Sequence, residues 1–237
     1  MIKKILSTLL ASSVLLVFST FSSIADRPTI AIGGSVNYGG YVASGTEVEG
    51  GGNTSATQGA ETAHRTAAME VGYTSAFFEI SMADRLTIGV EYMAAEVETD
   101  QEERTDTVSP DAAVISEANQ GTSTVKVEFK DMITTYAELR LFNGMYAKFG
   151  AMEIDVESKE SLHTSSSYGN LSLDGITYGI GYKNSWDNGV FLKTETMMHD
   201  WDDFKMTATS ADATPNGNTI SGNLDGAILS VRLGKAF

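Results

Sequence analysis

The residues best equipped for chemistry are three histidines and a few clustered carboxylates. His199 opens the run His199-Asp200-Trp201-Asp202-Asp203. A histidine beside an aspartate is the pairing that general-base activation of water uses. No nucleophile or second acid stands at a readable spacing from it, so the run favours a solvated histidine among acidic neighbours. His64 lies where a loop meets a strand, and His163 lies in a Ser/Thr-rich stretch. Asp200, Asp202 and Asp203 could attract calcium, which wants about six to eight oxygens in a shaped loop. In an extended strand end they would point to alternating faces, which suits loose cation attraction rather than a site. No metal site and no cofactor is expected. The chain has no Cys, which excludes a disulfide framework and a thiolate metal centre.

The elements that would position these residues read as strands. Apolar residues recur with period two, the spacing of a strand with two different faces. The first strand, about Thr29 to Val48, sets Ile30, Ile32, Val36, Tyr38 and Val42 against Ala31, Gly33, Ser35, Asn37 and Gly39. The second, about Thr66 to Met82, alternates Met69, Val71 and Tyr73 with Glu70, Gly72 and Thr74. The third alternates Leu86, Ile88, Val90 and Tyr92 with Thr87, Gly89, Glu91 and Met93. A long acidic segment from Glu96 to Glu117 follows, with no apolar period and too polar for a core. The fourth strand, from near Thr124 to Leu141, places Lys126, Glu128, Lys130, Thr134, Tyr136, Glu138 and Arg140 on one parity. Asn143-Gly144 is a tight-hairpin signal, because both turn positions want positive φ. The fifth strand runs about Met145 to Glu157. The sixth carries Ile176, Tyr178, Ile180 and Tyr182, and the seventh Leu192 to His199. The eighth closes the chain.

Eight strands are thus joined by connections that alternate long and short. That is the layout of a transmembrane barrel, with an even strand count and short turns at one end. A soluble sandwich has no reason to alternate loop length. Mean hydropathy is only −0.09, which a barrel's alternation explains. The fold class expected is therefore all-β: an eight-stranded antiparallel up-and-down transmembrane β-barrel. Tyr38, Tyr73, Tyr92, Tyr146, Tyr178, Tyr182, Trp186 and Trp201 fall near strand ends or just inside them, and aromatic belts at the membrane interfaces account for several of them.

The first 25 residues read as a secretory signal peptide. Lys3 and Lys4 precede an apolar run from Ile5 to Phe18, and Ser23-Ile24-Ala25 is a small-x-small cleavage site. The barrel would then occupy 26–237. Removing the leader's two lysines from the 16 Lys and Arg leaves 14 against 31 Asp and Glu, a net charge of −17. That opposes a nucleic-acid partner. Intact-mass measurement of the protein from cell envelopes is expected to give a mature N-terminus at Asp26. Retention of Met1 would overturn the leader.

The last stretch alternates Ala227, Leu229, Val231, Leu233 and Phe237 with mostly small or polar residues. It resembles the terminal strand of bacterial outer-membrane barrels, which end in an aromatic that the assembly machinery reads. Phe237, Leu233, Val231 and Leu229 match that signal, while Lys235 departs from it. Together with the strand layout, the mature chain resembles small outer-membrane β-barrel proteins of the OmpA/OmpX-like type, in the porin-like superfamily. The resemblance implies a meander inserted from the periplasm with both termini there and the long loops extracellular. It implies outer-membrane lipid, lipopolysaccharide, periplasmic chaperones and the assembly machinery as partners. It carries over no binding residues.

If the apolar parity of each strand faces lipid, the other parity points inward. That places Glu70, Glu91, Glu138 and Glu195 inside with Arg140, Lys148, Lys183, Lys193 and Arg232. The signs nearly balance, although the chain is strongly acidic. A dry interior requires charges to be paired, so the pattern points to an internal salt-bridge network. The role expected is structural, adhesive or surface-recognising, without enzymatic activity, around a lumen filled by side chains. A porin-like channel for small solutes is the alternative, and an enzyme at the outer rim a third.

Overall fold

The computed structural model describes residues 28–49, 61–82, 85–93, 95–107, 120–162, 166–210 and 219–237. The stretch expected to be a leader, His163, the Ala83-Asp84 turn and residues 108–119 lie outside the described residues.

Long strands make the wall. They are β1 (Thr29–Glu49), β2 (Glu61–Met82), β3 (Leu86–Met93), β6 (Gln120–Arg140), β7 (Met145–Ser161), β9 (Leu171–Ser185), β10 (Val190–Trp201) and β13 (Thr219–Ala236). Each pairs antiparallel with the next. β1 also pairs with β13, from Ala31↔Ala236 to Val48↔Thr219. The sheet closes on itself, so no long strand at the turn end is left with an open edge. This is the eight-stranded up-and-down β-barrel that the alternation predicts.

Local chemistry explains the turns. Asn143 and Gly144 both adopt positive φ, 48° and 82°, as a two-residue hairpin requires. Gly189, with φ 84°, donates its N–H to Trp186 O at 2.9 Å. At the opposite end the strands run on. β1 is 21 residues long, roughly 70 Å at the ~3.3 Å rise of a strand, more than the ~9–11 residues that cross a bilayer.

Part of the acidic segment, expected to be an irregular loop, continues the sheet instead. β4 (Val97–Glu98) and β5 (Glu102–Thr107) pair with β6. Cross-strand lysines make this possible: Lys126 pairs with Glu98, and Lys130 lies 3.5 Å from Glu96. The last long connection is likewise partly strand. β11 (Phe204–Thr207) pairs with β13, and β12 (Thr209–Ser210) pairs with β8 (Ser166–Ser167).

The outer surface is oily. Ile32, Val36, Phe78, Val90, Ile133, Leu139, Phe149, Ile180, Leu229, Val231 and Leu233 are exposed around it. The band stops abruptly toward the loop end. There Asp131, Glu153, Asp200 and Asp225 face outward, at matching heights because Ile133 pairs with Glu153 and Asp200 with Asp225. Of the aromatics expected at the interfaces, Tyr38, Tyr92, Tyr178, Tyr182 and Trp186 are exposed on this surface. Tyr146 and Trp201 are buried in the lumen instead, and Tyr73 packs against its core. Phe237 is exposed, and its N–H donates to Ile30 O at 2.8 Å.

Candidate functional site: the barrel interior

The lumen is filled in three layers. Nearest the turns, Phe77 and Phe191 pack with ring centroids 6.2 Å apart beside Ala31. This apolar floor closes the turn end.

Above it lies a network of paired charges. Arg232, Lys193 and Glu79 are each 0% exposed. Lys193 Nζ lies 2.6 Å from Glu79 and 2.7 Å from Glu138. Arg232 lies 3.0 Å from Glu91, 3.2 Å from Glu195 and 3.6 Å from Glu79. Lys148 lies 2.9 Å from Glu195 and 3.6 Å from Glu91. Two tyrosines tie the pairs together. Tyr136 Oη donates to Glu79 at 2.8 Å and accepts from Arg232 at 2.6 Å. Tyr146 Oη donates to Glu195 at 2.6 Å. Ser35 donates to Glu91 at 2.8 Å, Ser75 also hydrogen-bonds it, and Asn37 bridges both serines at 3.0 Å. Rings add to the cation side, with Lys148 4.0 Å from the Tyr136 centroid and Arg232 4.2 Å from that of Phe77. Buried charges are costly unless each is paired and hydrogen-bonded, and seven of the long strands converge to meet that demand here.

Six of the nine residues expected inside belong to this network: Glu91, Glu138, Lys148, Lys193, Glu195 and Arg232. Three do not. Glu70 is exposed on the outer face and accepts a hydrogen bond from Tyr38 Oη at 2.9 Å. Arg140 is exposed at the turn end of β6. Lys183 is half-buried over the Phe191 ring, 4.3 Å from its centroid. Sequence reasoning also missed Glu79, which occupies the centre.

The parity of β2 is the reverse of that expected. Val71, Ser75, Phe77 and Glu79 are buried in the lumen, while Glu70, Thr74 and Phe78 face out. β6 changes parity midway. Asp131 has φ 52°, and Lys130↔Asp155 is followed by Ile133↔Glu153, so two residues of β6 oppose one of β7. This is a β-bulge, which re-aims the side chains beyond it. Below it Met132, Thr134, Tyr136 and Glu138 point in, and above it Val127 and Phe129 pack against the core.

The third layer is an apolar cup toward the loop end. Tyr41, Val71, Met93, Met132, Ile154 and Trp201 are its buried walls. His199 sits at its base on β10, buried, with Nδ1 2.6 Å from Tyr41 Oη and its ring edge-on to Trp201. It is therefore not the solvated loop histidine expected. Its inward parity on β10 outweighs the acidic neighbours, and Asp200 points outward. His64 is exposed on β2, hydrogen-bonded to Thr46 Oγ1 at 2.9 Å.

Solved structures similar in shape are bacterial outer-membrane barrels. The outer membrane protein OprG from Pseudomonas aeruginosa is 11% identical with a TM-score of 0.41, over 86% of this chain and 96% of its own. The outer membrane protein AlkL, in lipid bilayers, is 12% identical with a TM-score of 0.41, over 86% and 90%. Neisserial surface protein A is 12% identical with a TM-score of 0.35, over 85% and 97%. No protein-family model and no curated protein matches the chain. At these identities and scores no residue role is carried over from them, and the barrel is established by its own strand register.

A second charge cluster lies on the outer face above the oily band. Lys130 is 2.9 Å from Glu157 and 3.0 Å from Glu128, and Lys159 is 3.2 Å and 3.3 Å from the same two. Hydrogen bonding to Lys130 and Lys159 holds both carboxyls below the usual carboxylate range. The reciprocal bonds raise Lys130 and Lys159. All four stay ionised at neutral pH, so this outer segment remains hydrophilic.

Proposed function

We propose that this chain is an integral outer-membrane protein with a closed lumen, serving a structural or surface-recognition role at its loop end. The observation that carries this reading is the pairing of an oily outer band with an interior filled by matched charges and aromatic rings. Side chains fill the interior of a barrel of about eight strands, and an aqueous channel needs many more. In the same reading the loop end faces outside, because strands bearing Glu98, Glu102 and Lys126 are too hydrophilic to sit in lipid. Both termini then lie on the periplasmic side. Lipopolysaccharide surrounds the wall, and chaperones and the assembly machinery deliver the chain. It acts without catalysis or cofactor, and His199 is a packing residue against Tyr41. Nucleic acid is not a partner, given the acidic balance.

Conductance across a planar bilayer tests the closed lumen. The refolded protein is expected to show no steady single-channel current in salt solution. Steady ion conductance of a fixed size would overturn the plugged barrel in favour of the porin-like channel.

A further inference from the structure

A concave site lies on the outer wall above the oily band. It holds about 500 Å³, within the ~300–1,000 Å³ typical of small-molecule sites. Two rows of side chains frame it. Register sets Ser44 between Asn223 and Thr66, and Thr46 between Ser221 and His64. Asp203 continues the first row. Ser44 and Thr46 share the parity of the exposed Val36 and Tyr38, His64 and Thr66 that of Phe78, and Ser221 and Asn223 that of Leu229. Both rows therefore point outward. Alternation turns Gly45, Arg65 and Phe204 to the opposite face, so backbone makes the floor between the rows.

The rows present hydroxyls, an amide, an imidazole and a carboxylate. Several of these groups are oriented from within. Thr46 Oγ1 lies 2.9 Å from His64 Nδ1, Ser44 Oγ lies 3.4 Å from Thr66 Oγ1, and Asn223 Nδ2 donates to Asp225 at 3.0 Å. That leaves the Asn223 amide oxygen, the Ser221 hydroxyl and the Asp203 carboxylate to meet a ligand. Sugar hydroxyls, which both donate and accept, match this mixture of acceptors and hydroxyls. A phosphate does not. Lys205 stands opposite Ser221, but Asp203 offsets its charge, and no cluster of cations faces the trough.

Height and direction narrow the source of the sugar. Asp225 faces outward at the upper edge of the oily band. Asn223 and Ser221 lie beyond it on the same strand, roughly 7 and 13 Å further along at a rise of ~3.3 Å per residue. The trough opens sideways, toward neighbours in the membrane plane. Hydrogen bonds that water contests are individually weak, so an open trough binds a free neutral sugar poorly. A sugar carried on an adjacent lipid overcomes this through its high effective concentration. Side-on placement and weak chemistry together select the surrounding leaflet.

We propose that this trough binds the neutral sugars of a glycolipid in the surrounding leaflet, a di- or trisaccharide segment lying across the strands. From β11 through β13 and β1 to β2 the trough crosses three strand spacings, roughly 14 Å at ~4.8 Å each, which suits that length. Asp203 and Asn223 accept from sugar hydroxyls at one end, and His64 and Thr66 bind at the other. The proposal rests on the reading that the loop end faces outside.

Single cysteines report occupancy, since the chain has no Cys. Ser44→Cys probes the middle of the trough. Ser172→Cys, on β9 opposite Asp155, is exposed, outward and above the band but away from the trough. Each full mature chain is refolded into nanodiscs of phospholipid, of lipopolysaccharide truncated before its neutral core sugars, or of lipopolysaccharide with a complete core. Alkylation of Ser44→Cys by iodoacetamide is expected to slow roughly tenfold from truncated to complete core, as about nine-tenths occupancy requires, while Ser172→Cys slows much less. Adding Asn223→Ala with Ser221→Ala should return Ser44→Cys to the behaviour of Ser172→Cys. Equal slowing at both cysteines, or protection that survives the Asn223 and Ser221 substitutions, would overturn the site. Protection of Ser44→Cys already present in truncated lipopolysaccharide over phospholipid would assign it to phosphate and overturn the sugar. Protection in phospholipid nanodiscs by micromolar free core oligosaccharide would overturn the leaflet as the source. The nanodisc result holds whichever way the protein faces in a cell, and alkylation of Ser172→Cys by an impermeant reagent on intact cells tests that orientation separately.

Discussion

Replacing Arg232 with alanine is expected to lower the unfolding free energy of the refolded barrel by about 3–5 kcal/mol, the cost of breaking a buried ion pair from one side. The guanidinium is fully buried and faces Glu91, Glu195 and Glu79, while its carbon lies 4.2 Å from the Phe77 ring centroid. Without it Glu91 keeps Lys148 at 3.6 Å and its serine hydrogen bonds, and Tyr136 loses the donor at 2.6 Å. A buried carboxylate left so weakly compensated is the expensive product. Glu138→Ala should cost less, because Lys193 retains Glu79 at 2.6 Å. Glu102→Ala, on an exposed position outside the lumen, should stay within about 0.5 kcal/mol. Urea unfolding in lipid measures all three. Equal and negligible effects would mean that water, rather than protein, solvates these charges.

How much of this interior is legible in the sequence depends on what each lumen layer is made of. Parity works where the inside is polar and the outside oily. Lys193 and Glu195 against Leu192, Thr194 and Thr196 is such a case, as are Glu91 against Val90 and Tyr92, and Arg232 against Val231 and Leu233. It fails in β2, whose loop half crosses the apolar cup. There Val71 and Tyr73 look like a lipid face and Glu70 like a lumen residue, so the whole strand is read upside down and Glu79 is lost. The turn half held the correcting signal, since Ala76, Phe78 and Ile80 form the outward row opposite Glu79. β6 fails for a different reason. Its alternation is clear on both sides of Asp131, but the bulge joins them out of phase, and an extra residue in a strand leaves no mark in composition. His199 reads as solvated only while its acidic neighbours outweigh its own strand parity, which points it inward. Closure and topology survive all of this, because loop length and strand count do not depend on which face is wet.

The second large effect is expected from a single methyl group. Gly89 on β3 lies beneath the Tyr136 ring, and Gly181 on β9 lies beneath Tyr146; a Cβ there would come 2.4 Å from Tyr136 Cζ and 2.3 Å from Tyr146 Cζ. Neither ring can simply swing aside. Tyr136 is fully buried between Glu79, Arg232 and Lys148, and Tyr146 is tied to Glu195. Gly89→Ala must therefore displace Tyr136, combining overpacking of ~1–3 kcal/mol with the loss of charge-assisted hydrogen bonds worth ~1.5–3 kcal/mol each. A total destabilisation of about 3 kcal/mol or more follows. Gly72→Ala is the control, because its Cβ would meet nothing closer than 3.8 Å on the outer face, and it should change stability by less than about 0.5 kcal/mol. A double-mutant cycle separates the clash from any general intolerance of the strand. Tyr136→Leu removes the ring, so adding Gly89→Ala to that background should cost much less than in the parent chain, with a coupling energy above about 1 kcal/mol. If Gly89→Ala costs the same in both backgrounds, the ring is not seated over the glycine, and the tyrosine-bridged order of the charge layer is wrong.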